Sequence, residues 1–158
     1  MIHQKIKTFL WYDNKAEEAA ELYCSLFPNS RIISVSRYPE GSPAPAGTAM
    51  TVEFELAGTK FVALNGGPLF HFTEAISLTV DCEDQDEVDR LWEKLTEGGT
   101  PSHCGWLKDR YGLSWQIVPR ILPQLLSSPD AGVSQRVMTA MLQMAKIDIA
   151  KLQQAAKD

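Results

Sequence analysis

The chain has 158 residues, 44% of them hydrophobic and 22% charged, the composition of an ordinary globular protein with enough length to bury a real core. A formal net charge of −5 and an isoelectric point near 5.2 exclude the concentrated basic surface that nucleic-acid binding needs. No apolar run approaches a bilayer span, and the opening MIHQKIKTFLWYDNK lacks the apolar stretch and cleavage site of a secretion signal, so a cytoplasmic protein with no membrane partner is expected.

Ile6 to Tyr12 is β-branched and aromatic and reads as a strand. Asp13-Asn14 breaks the run and is placed to cap a helix over Lys15 to Phe27, which carries Ala16, Ala19, Ala20, Tyr23 and Phe27 at helical spacing. Arg31 to Tyr38 reads as a strand, Pro39 to Gly47 as a loop, and Thr48 to Leu56 with Lys60 to Asn65 as a hairpin turned by Ala57-Gly58-Thr59. The order then restarts. Ile76 to Cys82 is a strand, and Asp84 to Glu97 an amphipathic helix with Val88, Leu91, Trp92 and Leu95 inward, stopped by Gly98-Gly99. Strands near His103 to Lys108 and Leu113 to Val118 follow, so the second half reads as one strand shorter than the first.

The repeat is visible in the helices, where Ala20-Glu21-Leu22-Tyr23 with Leu26 matches Asp89-Arg90-Leu91-Trp92 with Leu95. One domain over 1–158 is expected, with a first βαβββ module at 1–74, a second at 75–120 and a helical C-terminal extension at 121–158. The predicted class is α+β: two βαβββ modules forming a curved mixed sheet around a cavity, with C-terminal helices. In the extension, Pro119 to Ser128 reads as a short helix. Ser134 is placed to cap a helix carrying Val137, Met138, Met141, Leu142 and Ala145, and Asp148 to cap a last one. That apolar stripe either packs on its own domain or forms a Met-rich subunit contact. Cys24, Cys82 and Cys104 form no CxxC pair and read as free thiols.

Four stretches carry a resemblance: Trp11-Tyr12-Asp13 with Ala16-Glu17-Glu18-Ala19; Leu64-Asn65-Gly66-Gly67-Pro68; Cys104 to Asp109 with Gly112 to Gln116; and Arg136-Val137-Met138 through Lys146-Ile147-Asp148. With the paired βαβββ pattern, they resemble the vicinal oxygen chelate superfamily of glyoxalase I, extradiol dioxygenases and bleomycin-resistance proteins. Within it they are similar to the PhnB-like branch labelled 3-demethylubiquinone-9 3-methyltransferase-like. The resemblance implies a homodimer, and in metal-dependent members His, Glu or Gln from the first and last strands of each half hold a divalent ion. Here those positions fall near Lys7, at Ala75 to Ser77, and at Gln116. Gln is a weak neutral ligand, and His3, His71 and His103 do not complete a set, so no cofactor is assured and no divalent metal is expected. An S-adenosylmethionine site generally shows a glycine-rich loop after the first strand, and none follows it here.

The expected partner is a small, aromatic or apolar molecule. Alternation offers either Lys7, Phe9 and Trp11 or Thr8, Leu10 and Tyr12 to the cavity, and the first-strand ligand position that the resemblance sets near Lys7 favours Phe9 and Trp11. Alternation also puts Trp106 with Lys108 on one strand face and Ser114 with Gln116 on another. Gln116, Lys108, Ser77 and Asn65 are either a mutually satisfied polar network or ligand contacts, because unpaired buried polar groups cost about 1–3 kcal/mol. The candidate pocket is therefore Phe9, Trp11, Asn65, Ser77, Trp106, Lys108 and Gln116. No nucleophile–base pair is defensible: His103 and Cys104 should point to opposite strand faces, and Glu53 and Glu55 could simply face solvent. No catalytic residue is assigned, and whether the chain is an enzyme stays open. The readings are a ligand-binding protein of unassigned activity, a sequestering resistance-type binder, and a methyltransferase-like or metal-dependent lyase or dioxygenase enzyme.

Overall fold

The computed structural model of the chain describes residues 3–158. They fall into two compact units, one ending at His71 and the other running from Phe72 to Asp158, so the helical extension belongs to the same unit as the second module.

The first unit runs β1 (Thr8–Tyr12), α1 (Ala16–Leu26), β2 (Arg31–Arg37), β3 (Ala49–Leu56) and β4 (Thr59–Asn65). Its sheet has the order β1-β4-β3-β2, with β1 parallel to β4 and the other pairs antiparallel. Leu10, Tyr12, Val52, Phe54 and Ala63 are buried with Ala16, Ala19, Ala20 and Tyr23 of α1. The three alanines let the helix lie close on the sheet, and Phe54 stacks on Phe61 with ring centroids 5.6 Å apart. Asp13 and Asn14 do not cap α1 as expected. Asn14 is in the left-handed region and Lys15 offers no side-chain cap. Asn65 supplies the acceptor instead, its Oδ1 taking the Ala16 N–H at 2.9 Å.

The second unit repeats the topology with β5 (Ser77–Cys82), α2 (Gln85–Thr96), β6 (Thr100–Pro101), β7 (Trp106–Lys108) and β8 (Ser114–Pro119), in the order β5-β8-β7-β6. The strand that the sequence concealed is β6, two residues long and ended by Pro101, which has no N–H to donate. β7 starts at Trp106, later than expected, because Cys104 and Gly105 both have positive φ. Asp84 caps α2 by accepting from Glu87 N at 2.9 Å. Val88, Leu91 and Leu95 are buried, as are Leu107, Leu113, Trp115 and Ile117.

The extension forms α3 (Ile121–Leu126), α4 (Ala131–Met141) and α5 (Ile149–Lys157). Asp148 caps α5 as expected, whereas α4 starts earlier than expected, with Asp130 and not Ser134 as its cap. Leu122, Val137, Met144, Ile147 and Leu152 form a separate apolar cluster against which Met141 packs. Met138 and Leu142 remain exposed. The α4–α5 connection is fastened to the module by Cys104 N to Met144 O and Gly105 N to Ala145 O, both 2.8 Å. Gln85 adds bonds to Ile147 O (3.0 Å) and from Ile149 N (2.8 Å), and Lys146 pairs with Asp89 at 2.8 Å. No helix among the described residues is long and apolar enough to cross a membrane.

Candidate functional site

Strand alternation gives each sheet one face packed on its helix and one open face. On the first sheet, Leu10 and Tyr12 are buried, which turns Phe9 and Trp11 to the open face. Phe9 is 60% exposed. The Trp11 ring packs edge-on against Phe70 at 4.9 Å, and its Nε1 donates to Gly67 O at 2.8 Å, so only its ring surface is left for a ligand. Glu53 stands in register with Val62, itself beside Phe9, and accepts a 2.9 Å bond from Lys7 Nζ. That bond holds the Glu53 carboxyl below the usual carboxylate range, the reverse of what a general acid needs. Glu55 pairs with Arg31 at 3.5 Å. Asn65 differs in parity from these residues and lies in register with the buried Tyr12. Its amide caps α1 and donates to Ala49 O at 2.9 Å, and it borders a separate cavity of about 210 Å³ with Asp13, Asn14, Tyr38 and Thr48.

On the second sheet, Leu107, Trp115 and Ile117 are buried against the helix side, which leaves Ser77, Ser114, Gln116, Trp106 and Lys108 on the open face. Ser77, Ser114, Lys108 and Thr100 are consecutive register partners, a polar row crossing all four strands. Gln116 is the partner of Trp106, and its Nε2 donates to Ser77 Oγ at 3.0 Å. Four of the sequence candidates are thus brought onto one face. A cavity of about 310 Å³ opens there, lined by Glu74, Thr100, Ser102, Trp106, Lys108 and Ser114. Lys108 Nζ is ion-paired with Glu74, from the turn just before β5. Ser114 is 1% exposed and its Oγ has no hydrogen-bond partner. Sequence reasoning placed Ser114 on the face of Gln116 but did not choose it, and it missed Glu74, a loop residue without a periodic signal.

Below this row, the Asp109 carboxylate is buried and organises the β7–β8 turn. Its Oδ1 accepts from Tyr111 N (2.9 Å) and Leu113 N (3.1 Å), and its Oδ2 accepts from Trp115 Nε1 (2.9 Å). This fixes the register that sets Lys108 opposite Ser114. His103 and Cys104 lie in the turn before β7, not on a strand, and neither lines the cavity.

Comparison with known proteins bears directly on this arrangement. The sequence profile of a family described as 3-demethylubiquinone-9 3-methyltransferase matches residues 4–118. The chain belongs to that family. A solved PhnB protein from Bacillus cereus is 41% identical, with a TM-score of 0.69 over 73% of this chain and 99% of that one. A protein of Pseudomonas aeruginosa at 19% identity (TM-score 0.61, 74% and 98% covered) shares the fold. So does the fosfomycin resistance protein FosX of Listeria monocytogenes, solved with Mn(II) and sulfate, at 18% identity (TM-score 0.51, 74% and 92% covered). No curated protein matches the chain. The fold is that of the glyoxalase and bleomycin-resistance proteins, within the vicinal oxygen chelate superfamily.

Three of the four stretches that carried the resemblance lie within the matched residues, and the fourth, Arg136 to Asp148, lies beyond them. The first two make a single construction: the Trp11 indole lies against Gly66, where any side chain would collide with it, and Tyr12 O accepts from Gly66 N at 3.0 Å. The family's methyltransferase description implies a methyl donor. β1 passes to α1 through Asp13-Asn14-Lys15, and Gly66-Gly67 lies beside Trp11 and runs into Pro68. Those residues do not fit a nucleotide-type cofactor loop. For the superfamily's divalent metal, the open face of the second sheet offers neutral Ser77 and Gln116, and the Glu74 carboxylate at its cavity is ion-paired with the Lys108 cation, a donor set that does not fit such an ion. Among the described residues no group of three or more His, Cys, Asp and Glu side chains could hold a metal ion.

Proposed function

We propose that this PhnB-like chain binds a small, partly apolar organic molecule on the open face of its second module, without a divalent metal. The observation that carries the reading is Ser114, whose buried hydroxyl has no partner while its side chain lines a cavity beside the Trp106 ring. A buried hydroxyl without a partner costs about 1–3 kcal/mol, and a ligand atom that pairs with it recovers that cost. One aromatic wall with a few convergent polar groups is the usual make-up of a small-molecule site, and about 310 Å³ lies at the lower end of the usual range. The two charged residues on the lining, Lys108 and Glu74, are paired with each other, so the arrangement favours binding over acid–base or nucleophilic catalysis. A sequestering role fits best.

The test is a titration of the ¹⁵N-labelled chain with small aromatic fragments. Shifts of the Trp106 indole and the Ser114 and Lys108 amides are expected. If no fragment at millimolar concentration moves these signals, the reading is wrong.

We further infer a cytoplasmic homodimer. Ile6, Phe9, Leu69 and Phe70 are large apolar side chains left exposed on the first unit, and burial against a second copy would remove them from water. Light scattering should give twice the chain mass.

A further inference from the structure

The chemistry of the ligand can be read from what already occupies its place. Lys108 extends from β7 directly opposite Ser114, and direct cross-strand neighbours have Cβ atoms about 4.5–5.5 Å apart. A cation and a hydroxyl thus rise from neighbouring positions and line the same cavity, with Trp106 two residues along the same strand face. The Lys108 ammonium is met there by a carboxylate, that of Glu74. Glu74 comes from a turn, is 61% exposed and reaches into the cavity lining. An exposed pair of this kind is weak. Nothing in it satisfies Ser114 Oγ, which stays unpaired with Glu74 in place.

Building on the small-molecule reading, we propose that the cavity takes a ligand bearing an oxyanion, which replaces the Glu74 carboxylate on Lys108 and accepts a hydrogen bond from Ser114 Oγ. The exchange is selective for charge. A neutral ligand that displaces Glu74 leaves Lys108 without a counter-charge, whereas an anionic one restores the ion pair and adds a charge-assisted bond from the buried hydroxyl. The flexible four-carbon stem of Lys108 lets the ammonium follow the incoming anion. The Trp106 ring flanks the body of the molecule, and the Gln116–Ser77 pair closes the row on the β5 side. Glu74 is therefore an internal competitor, and the loop that carries it sets the apparent affinity.

The probes are benzoate, its neutral isostere benzamide, and phenylphosphonate, titrated into the full chain and followed by the Trp106 indole and Ser114 amide signals. The expected order places either anion several-fold tighter than benzamide. A tighter benzoate assigns a planar carboxylate and a tighter phenylphosphonate a tetrahedral oxyanion, and both uphold the proposal. Glu74→Gln should tighten benzoate binding by about two- to fivefold, the scale of one exposed ion pair, and benzamide by no more than that, since either occupant must break the same pair. Lys108→Met should abolish the preference for the anions while preserving a dispersed spectrum. Benzamide binding as tightly as both anions, or benzoate affinity indifferent to Glu74→Gln, overturns the oxyanion proposal while leaving the small-molecule reading standing. Silence of both signals toward all three probes overturns both.

Discussion

Ser114→Ala is expected to make the protein more stable and a poorer binder. Serine and alanine share the Cβ, so the substitution deletes one oxygen from a site that is 1% exposed and in which that oxygen has no partner. Leaving a hydroxyl buried and unpaired costs about 1–3 kcal/mol. Part of the gain is returned through the small void left behind, so a net stabilisation of about 1 kcal/mol is expected. For a chain of this length that corresponds to a rise in Tm of about 2–4 °C, measurable by scanning calorimetry. Ser77→Ala is the control. Ser77 lies in the same row, but its Oγ accepts from Gln116 Nε2, so its removal should lower stability by about 0.5–1.5 kcal/mol. A fall in Tm for Ser114→Ala comparable to that of Ser77→Ala would mean that the Ser114 hydroxyl is satisfied within the folded chain, and the argument for a ligand there would fail.

Asn65→Ala removes both the α1 cap and the bond to Ala49 O; a loss of about 2–3 kcal/mol in urea unfolding is expected. Cys82 is fully buried, and burial together with the nearby Glu87 and Asp81 charges pushes its thiol up to about 12. It should therefore resist an aromatic disulfide reagent at pH 8 in the native chain and react once urea is added, and rapid native labelling of Cys82 would contradict its burial. Hydrogen bonds from Lys146 and then Gln85 hold the Asp89 carboxyl below its ordinary value. The stability this confers is complete above about pH 4, the unfolded-state value, and is lost as pH falls through the lower folded-state value. The protection of the Cys104 and Gly105 amides against exchange, relative to the intrinsic rate at each pH, should fall over that acid range because they bond to the α4–α5 connection, and Asp89→Asn should remove this fall.

What the sequence could reveal was set by periodicity and its limits by distance. The alternation of Leu10 and Tyr12 with Phe9 and Trp11, and of Trp115 and Ile117 with Ser114 and Gln116, was enough to sort side chains into two sets, because a strand has only two faces. Which set of β1 meets the open face was favoured only by the resemblance. The amphipathic helix after Asp84 was equally plain, since its cap is local. Asn65 was singled out as a pocket residue, yet its amide caps a helix 49 positions earlier in the chain, a partnership no local pattern encodes. The two-residue β6 is too short for any period to register. Glu74 lies in a turn, so its meeting with Lys108 depends on the fold alone. Ser114 was visible as a position but not as an orphan, because the lack of a partner is a property of the packed structure.

The two modules share a topology and load their open faces differently, and the proposed function rests on this difference more than on the fold. The first sheet's charges settle among themselves, Lys7 with Glu53 and Arg31 with Glu55. Its Trp11 indole is committed to Gly67 O, and its Asn65 amide to the backbone of its own module. The second sheet instead carries a row in which Ser77 is satisfied by Gln116, Lys108 is met by a displaceable carboxylate, and Ser114 between them is left unpaired. A fold that needed these residues only for stability would place an apolar side chain at Ser114, since an unpaired buried hydroxyl is a net cost. That row also holds a cation and borders an aromatic wall, and a bound molecule there would offset the cost, which is the ground of the proposal. On the proposed reading, the hydroxyl and ammonium of that row would supply the positive side of the contact and the ligand the negative.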